Sequence, residues 1–302
     1  MGEVSSHTSH APAADDDHNG LPAASPRLTV TLRPAPTALP VVVHVWPARD
    51  DVSRHPVLVC CHDWTEAGPG FGPLATALGR RWTLIAPDAP GHGDSPWPAA
   101  PRYRVTDHSP KVLAVLDRLP EVAGRRADIV VLGHGLGALT ASRLAAARPG
   151  VVRHLILEDP ARAALRRVPS AAATRARITP LRSLNRDELL AVARRELPEW
   201  PADELEPWVD AAQAICLDAL AVPVDWGEPL VALLADVPCP ITLIHGSLTR
   251  GGMVSAQAAR RCAAACRAGC ETVQLDAGHH PRREARAPFI AVLASVLGRY
   301  GR

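Results

Sequence analysis

The sequence segment richest in chemical meaning is Gly133-His134-Gly135-Leu136-Gly137. It follows an apolar run over 128–132 and precedes a helical pattern over 136–148. A strand, a tight glycine turn and a helix together present the middle residue of the turn on strained backbone, where a serine, cysteine or aspartate would be an exposed nucleophile. Gly133 and Gly137 flank that turn because side chains there would collide across it. The middle residue is Gly135, which has nothing to attack with and which also relaxes the turn. A general base is present downstream, because His279 lies in Asp276-Ala-Gly-His279-His280 just before a final helical stretch. The acids available to it are Asp159, with Glu158 beside it, and Asp63 in His62-Asp63-Trp64. A histidine oriented by a carboxylate can move protons without a covalent intermediate.

These residues need a scaffold that brings distant loops to one edge. Short apolar runs at 28–32, 40–46, 57–61, 82–87, 128–132, 152–157, 240–245 and 271–275 alternate with amphipathic stretches at 70–80, 109–119, 136–148 and 254–268, and a last helix covers 283–299. Strands alternating with helices imply a mostly parallel sheet of eight strands wrapped by helices, and the first two strands, joined without a helix, imply an antiparallel edge. Residues 160–236 carry helical runs, including 187–197 and 203–219, and no clear strand. Such an insertion between core strands is expected to form a helical cap over the sheet's carboxyl edge, where α/β sheets place their sites. The expected organisation is a disordered tail over 1–26, a core over 27–159 and 237–302, and a cap over 160–236.

Four segments in order resemble the α/β-hydrolase superfamily, in its capped branch with a Gly-His-Ser-x-Gly elbow. They are the Gly133–Gly137 turn with serine replaced by Gly135, the strand and loop over 82–96 with Gly91-His-Gly-Asp-Ser-Pro, the strand over 237–246, and the histidine loop over 276–285. The resemblance spans roughly 28–299. It implies His279 as the base and an oxyanion hole built from the backbone N–H of Leu136 and one from Asp63 or Trp64, with His134 beside it and Trp64 in the pocket. The usual acid position after the strand at 240–245 reads Ser247 and Thr249, so Asp159, at the end of the sixth strand, is the expected acid. Where this family has His-Gly, the chain has His62-Asp63, a carboxylate that would oppose a developing oxyanion unless protonated or turned away. The function implied is hydrolase- or lyase-like acid–base chemistry on a small apolar molecule. A pseudo-hydrolase that binds a ligand or partner is the alternative. The same glycine turn also satisfies a dinucleotide fingerprint, with Glu158 and Asp159 ending the next strand, although its place late in the strand series argues against a dinucleotide-dependent oxidoreductase.

Composition excludes several classes. With 47% hydrophobic and 21% charged residues there is ample material for a globular core, and a formal net charge of +2 gives no pull toward nucleic acid or a membrane surface. No apolar stretch approaches the ~20 residues of a membrane span. The seven cysteines, with Cys262, Cys266 and Cys270 four apart, form neither a disulfide framework nor a zinc motif, so no metal or cofactor is expected. An odd cysteine count and no signal segment point to a bacterial cytoplasm. Nothing in the sequence speaks to oligomeric state. His7, His10 and His18 belong to the tail, and Trp97, Trp200, Trp208 and Trp226 are candidates for pocket walls.

Overall fold

The computed structural model describes residues 5–7, 27–33, 38–48, 57–79, 81–118, 128–163 and 170–300. Its main sheet is built from β1 (Ser5–His7), β2 (Leu28–Leu32), β3 (Val41–Trp46), β4 (Val57–Cys61), β5 (Thr83–Pro87), β6 (Ile129–His134), β7 (Val152–Glu158), β8 (Ile241–His245) and β9 (Cys270–Gln274). The spatial order is β1-β2-β3-β5-β4-β6-β7-β8-β9. The strands from β5 onward run parallel, while β2 and β3 pair antiparallel at one side. The eight strands read from the sequence are joined by a ninth, because Ser5–His7 pairs antiparallel with Leu28–Leu32. The remainder of the expected tail, including His10 and His18, lies outside the described residues.

The central strands β4, β5 and β6 are buried on both faces, which explains their continuous Val, Leu, Ile and Cys composition. Two apolar layers flank them. Helices α2 (His108–Asp117) and α3 (Gly137–Ala147), with Leu139, Leu144 and Ala145, pack on one face. The N-terminal helix α1 (Gly72–Ala77) and the C-terminal α10 (Arg286–Gly298), with Leu74, Phe289 and Leu293, pack on the other. Helix α3 begins at Gly137, where a Cβ would press into the backbone carbonyl carbon of Cys61. Only glycine allows that helix to start this close to β4.

The segment expected as a cap contains α4 (Ala171–Ile178), α5 (Arg186–Glu196), α6 (Ala202–Ala214) and α7 (Leu230–Ala235). Asn185 caps α5 through a reciprocal pairing with Glu188, and Ser170 caps α4. Helix α6 carries Pro207 and packs against the loop that follows β4. A two-residue strand at Val224–Asp225 pairs with Tyr103–Arg104 and ties this segment back to the core. No helix among the described residues is long and apolar enough to cross a membrane.

Candidate active site

Sheet register explains why three loops converge. Cys61 of β4 pairs with Gly133 of β6, so Asp63 and Gly135, each two residues further on, lie side by side. His134 of β6 pairs with Glu158 of β7, so Asp159 lies on the other flank of Gly135. Gly135 sits in the left-handed region at φ 53° and is held by its N–H donating to Glu158 O at 3.0 Å. The sharp turn therefore survives without a side chain at its tip. The space that a side chain would take is filled from the neighbouring loop, because a Cβ on Gly135 would overlap the Asp63 carboxylate.

Asp63 does not turn away from the oxyanion position. The backbone N–H of Leu136, expected to line an oxyanion hole, donates instead to Asp63 Oδ1 at 2.6 Å. Its Oδ2 lies 3.2 Å from His279 Nε2, and His279 Nδ1 lies 2.7 Å from Asp159 Oδ2. Asp159 also accepts from the N–H groups of Gly246 and Met253, which fix its carboxylate, and its backbone sits in the left-handed region at φ 36°. The result is a chain of Leu136 N–H, Asp63, His279 and Asp159. His279 is 23% exposed and Asp63 14%, whereas Asp159 is fully buried, so the first two face the cavity and the third supports from behind.

Charge follows from this geometry. Burial alone would disfavour the imidazolium, but carboxylates on both ring nitrogens outweigh it and push His279 up to about 10. Burial likewise opposes ionisation of Asp63, and the hydrogen bond and charge of His279 hold it well below the usual carboxylate range. At neutral pH His279 is thus an imidazolium paired with the Asp63 carboxylate.

Other expected residues fall differently. Trp64 lines the cavity, as does Trp226. His134, expected beside the oxyanion position at the pocket, is wholly buried instead. Its Nδ1 lies 3.1 Å from Glu66 Oε2, and its Nε2 lies 2.8 Å from the carbonyl of His279, so it supports the histidine loop from below. Ser247 and Thr249 bond to each other at the surface. Glu158 turns to Arg282 rather than to His279, accepting from its N–H at 2.8 Å and from its guanidinium at 3.0 Å. Trp97 stacks on Tyr103, 5.3 Å between centroids, as packing.

Sequence reasoning missed a buried charge network. Arg282 and Arg283, in the short helix α9 (Pro281–Glu284), are both 2% exposed. Glu66 receives Arg282 at 2.9 Å and Arg283 at 2.6 Å, and Arg283 also meets Glu204 of α6 at 2.9 Å. The guanidinium of Arg283 lies 4.2 Å from the Trp200 ring centroid. Burial opposes ionisation of Glu66, yet the two arginines and His134 hold it well below its usual range. Glu66, His134 and His280 bring possible ligand atoms within 4.8 Å of one another. Two guanidiniums already neutralise Glu66, so a metal dication there would meet two like charges, and the cluster reads as structural.

Two cavities open beside the unit. The smaller, about 270 Å³, is lined by Asp63, His279, Trp64, Trp226, Met253 and Arg177 among others. The larger, about 390 Å³, is lined by Leu181, Val192, Leu197, Trp200, Trp208 and Arg177 among others. Thr65 and His280 join Arg177 in the walls of both.

Comparison with known proteins gives the family. A family model described as alpha/beta hydrolase family matches residues 57–292. A lipase, LipV, from Mycobacterium tuberculosis is 42% identical over 100 residues, 33% of this chain and 35% of that protein. A 3-hydroxybutyrate-oligomer hydrolase from Cupriavidus necator is 31% identical over 138 residues, 45% of this chain and 44% of that protein. The matched segments thus span less than half of these relatives. Among solved structures, an E-2-(acetamidomethylene)succinate hydrolase superposes with a TM-score of 0.65 at 20% identity, covering 89% of this chain and 98% of that one. A probable hydrolytic enzyme from Pseudomonas aeruginosa gives 0.67 at 18% identity, covering 91% and 95%. At those identities the likeness is one of fold. With the family model covering most of its length, the chain belongs to the alpha/beta hydrolase family.

Proposed function

We propose that the chain acts on a small, largely apolar molecule in the capped pocket by acid–base chemistry at Asp63 and His279, oriented by Asp159, with no acyl-enzyme at residue 135. The observation that carries this reading is the Asp63 carboxylate in the place of the missing side chain, bonded at once to Leu136 N–H and His279. Asp63 Oδ2 faces the cavity as the base, and the His279 imidazolium is the acid. In a hydrolytic turn, Asp63 takes a proton from water as its oxygen adds to the substrate. His279 gives its proton to the departing group. Asp63 then returns a proton to His279 across the 3.2 Å contact, which resets the pair. A lyase-like turn differs only in that the proton taken by Asp63 comes from a substrate C–H.

The test is a pair of measurements on a panel of small p-nitrophenyl esters and lactones. The proposal expects linear product release without an initial burst, abolished by D63N and by H279Q, and no labelling of the protein by a fluorophosphonate probe. A stoichiometric burst, or probe attached to a serine in the pocket, would show a displaced nucleophile and end the non-covalent reading.

The alternative is a ligand-binding pseudo-hydrolase. It is favoured by the same ion pair, since a histidine pushed up to about 10 offers no neutral imidazole at neutral pH. Saturable ligand binding without turnover by any member of the panel supports it. The dinucleotide reading loses ground, because the N–H at the start of α3 that would meet a pyrophosphate already serves Asp63.

A further inference from the structure

Arg177 lies near the end of α4 and borders both cavities. Its guanidinium has no hydrogen-bond or ion-pair partner among the described residues. The carboxylates that line these cavities are already engaged. Asp63 serves Leu136 N–H and His279, Glu66 serves Arg282 and Arg283, and Glu196 serves Arg195. Arg177 is exposed at the cavity walls, with the charge of Asp63 nearby, and its guanidinium stays ionised. A guanidinium in the walls of both cavities, with no direct partner, is open to a ligand anion, and a carboxylate matches its planar fork with two acceptors.

We infer that Arg177 anchors the carboxylate of an amphipathic substrate. Its position in the walls of both cavities sets the ligand's layout. The apolar body occupies the larger cavity, against Leu181, Val192, Leu197, Trp200 and Trp208. The reacting group enters the smaller one, toward Asp63 and His279. The substrate class is therefore a monocarboxylate with an aliphatic or aryl body and a hydrolysable or acidic C–H centre near the acid end. This inference rests on the reading of the capped pocket as a substrate site.

The experiment is calorimetric titration of a homologous set of probes, phenylacetate through 6-phenylhexanoate, against their neutral primary amides. It is run on the wild-type chain and on H279Q, where binding is read apart from chemistry. The expected result is at least one carboxylate binding tenfold or more tightly than its amide in both proteins. R177Q erases that advantage while leaving amide affinity within twofold, and R177K keeps part of it. Amides that bind as well as carboxylates, an advantage that persists in R177Q, or no binding across the set would each overturn the inference. Loss of turnover in H279Q with the carboxylate preference intact would separate this site from the fate of the acid–base proposal.

Discussion

A Cβ on Gly135 would overlap the Asp63 carboxylate, so Gly135 cannot revert to the serine common in this family while Asp63 keeps its place. The single change G135S must displace Asp63 from Leu136 N–H as well as place a side chain at φ 53°. It is expected to destabilise the protein by more than the roughly 1–3 kcal/mol of left-handed strain. The double variant D63G/G135S removes the overlap, so its loss of stability is expected to fall short of the sum of the singles. Denaturant unfolding of all four proteins in a double-mutant cycle measures this, and strict additivity would contradict the shared volume. The same double variant, with that N–H cleared and His279 Nε2 released, is expected to trade the Asp63-dependent route for a weak acyl-enzyme one, read as a product burst and fluorophosphonate labelling that H279A abolishes. G135S alone is expected to show neither. In the sequence, Gly135 and Asp63 read as two separate departures from the family pattern. Their coupling became visible only through the register of Cys61 with Gly133, which no linear spacing encodes.

At the scale of elements, the histidine loop is held by charges from three distant parts of the chain. Arg282 and Arg283 bind Glu66 after β4, Arg282 also binds Glu158 of β7, and Arg283 binds Glu204 of α6. The pair Arg282-Arg283 looks in sequence like an ordinary solvated stretch, and the glutamates that bury it stand more than seventy residues away. The elements themselves were readable because each has a strong local signature: runs of β-branched residues for β4 through β8, and the 3.6-residue pattern of the helices. The short strand Ser5–His7 was not, since its polar residues give no alternation and its formation depends on the partner β2. Breaking a buried pair by removing one partner strands the other charge. E204A is therefore expected to cost about 3–5 kcal/mol, whereas E206A, on the exposed face of α6, should cost under about 1 kcal/mol although Glu206 also meets an arginine. Equal effects of the two in thermal or denaturant unfolding would contradict the assigned role of the buried network.

At the scale of the whole molecule, the sheet brings Asp63, Gly135 and Asp159 to the carboxyl ends of three adjacent strands, while His279 comes from the loop after β9 and the walls come largely from the 160–236 segment. The central claim is that Asp63 has taken the place of the elbow side chain and clamps His279 together with Asp159. It has a pH signature. The folded-state value of about 10 lies above the 6.5 of a free histidine. The clamp's stabilisation is accordingly full below about 6.5 and is lost as pH rises toward 10, because the unfolded chain gives up that proton first. The most direct measurement is a nuclear magnetic resonance titration of the His279 ring nitrogens, in the wild-type chain and in D63N. A ring that stays charged until about pH 10 in the wild type, and titrates at clearly lower pH once Asp63 is neutralised, is the predicted result. A wild-type ring that titrates near 6.5, unmoved by D63N, would contradict the account.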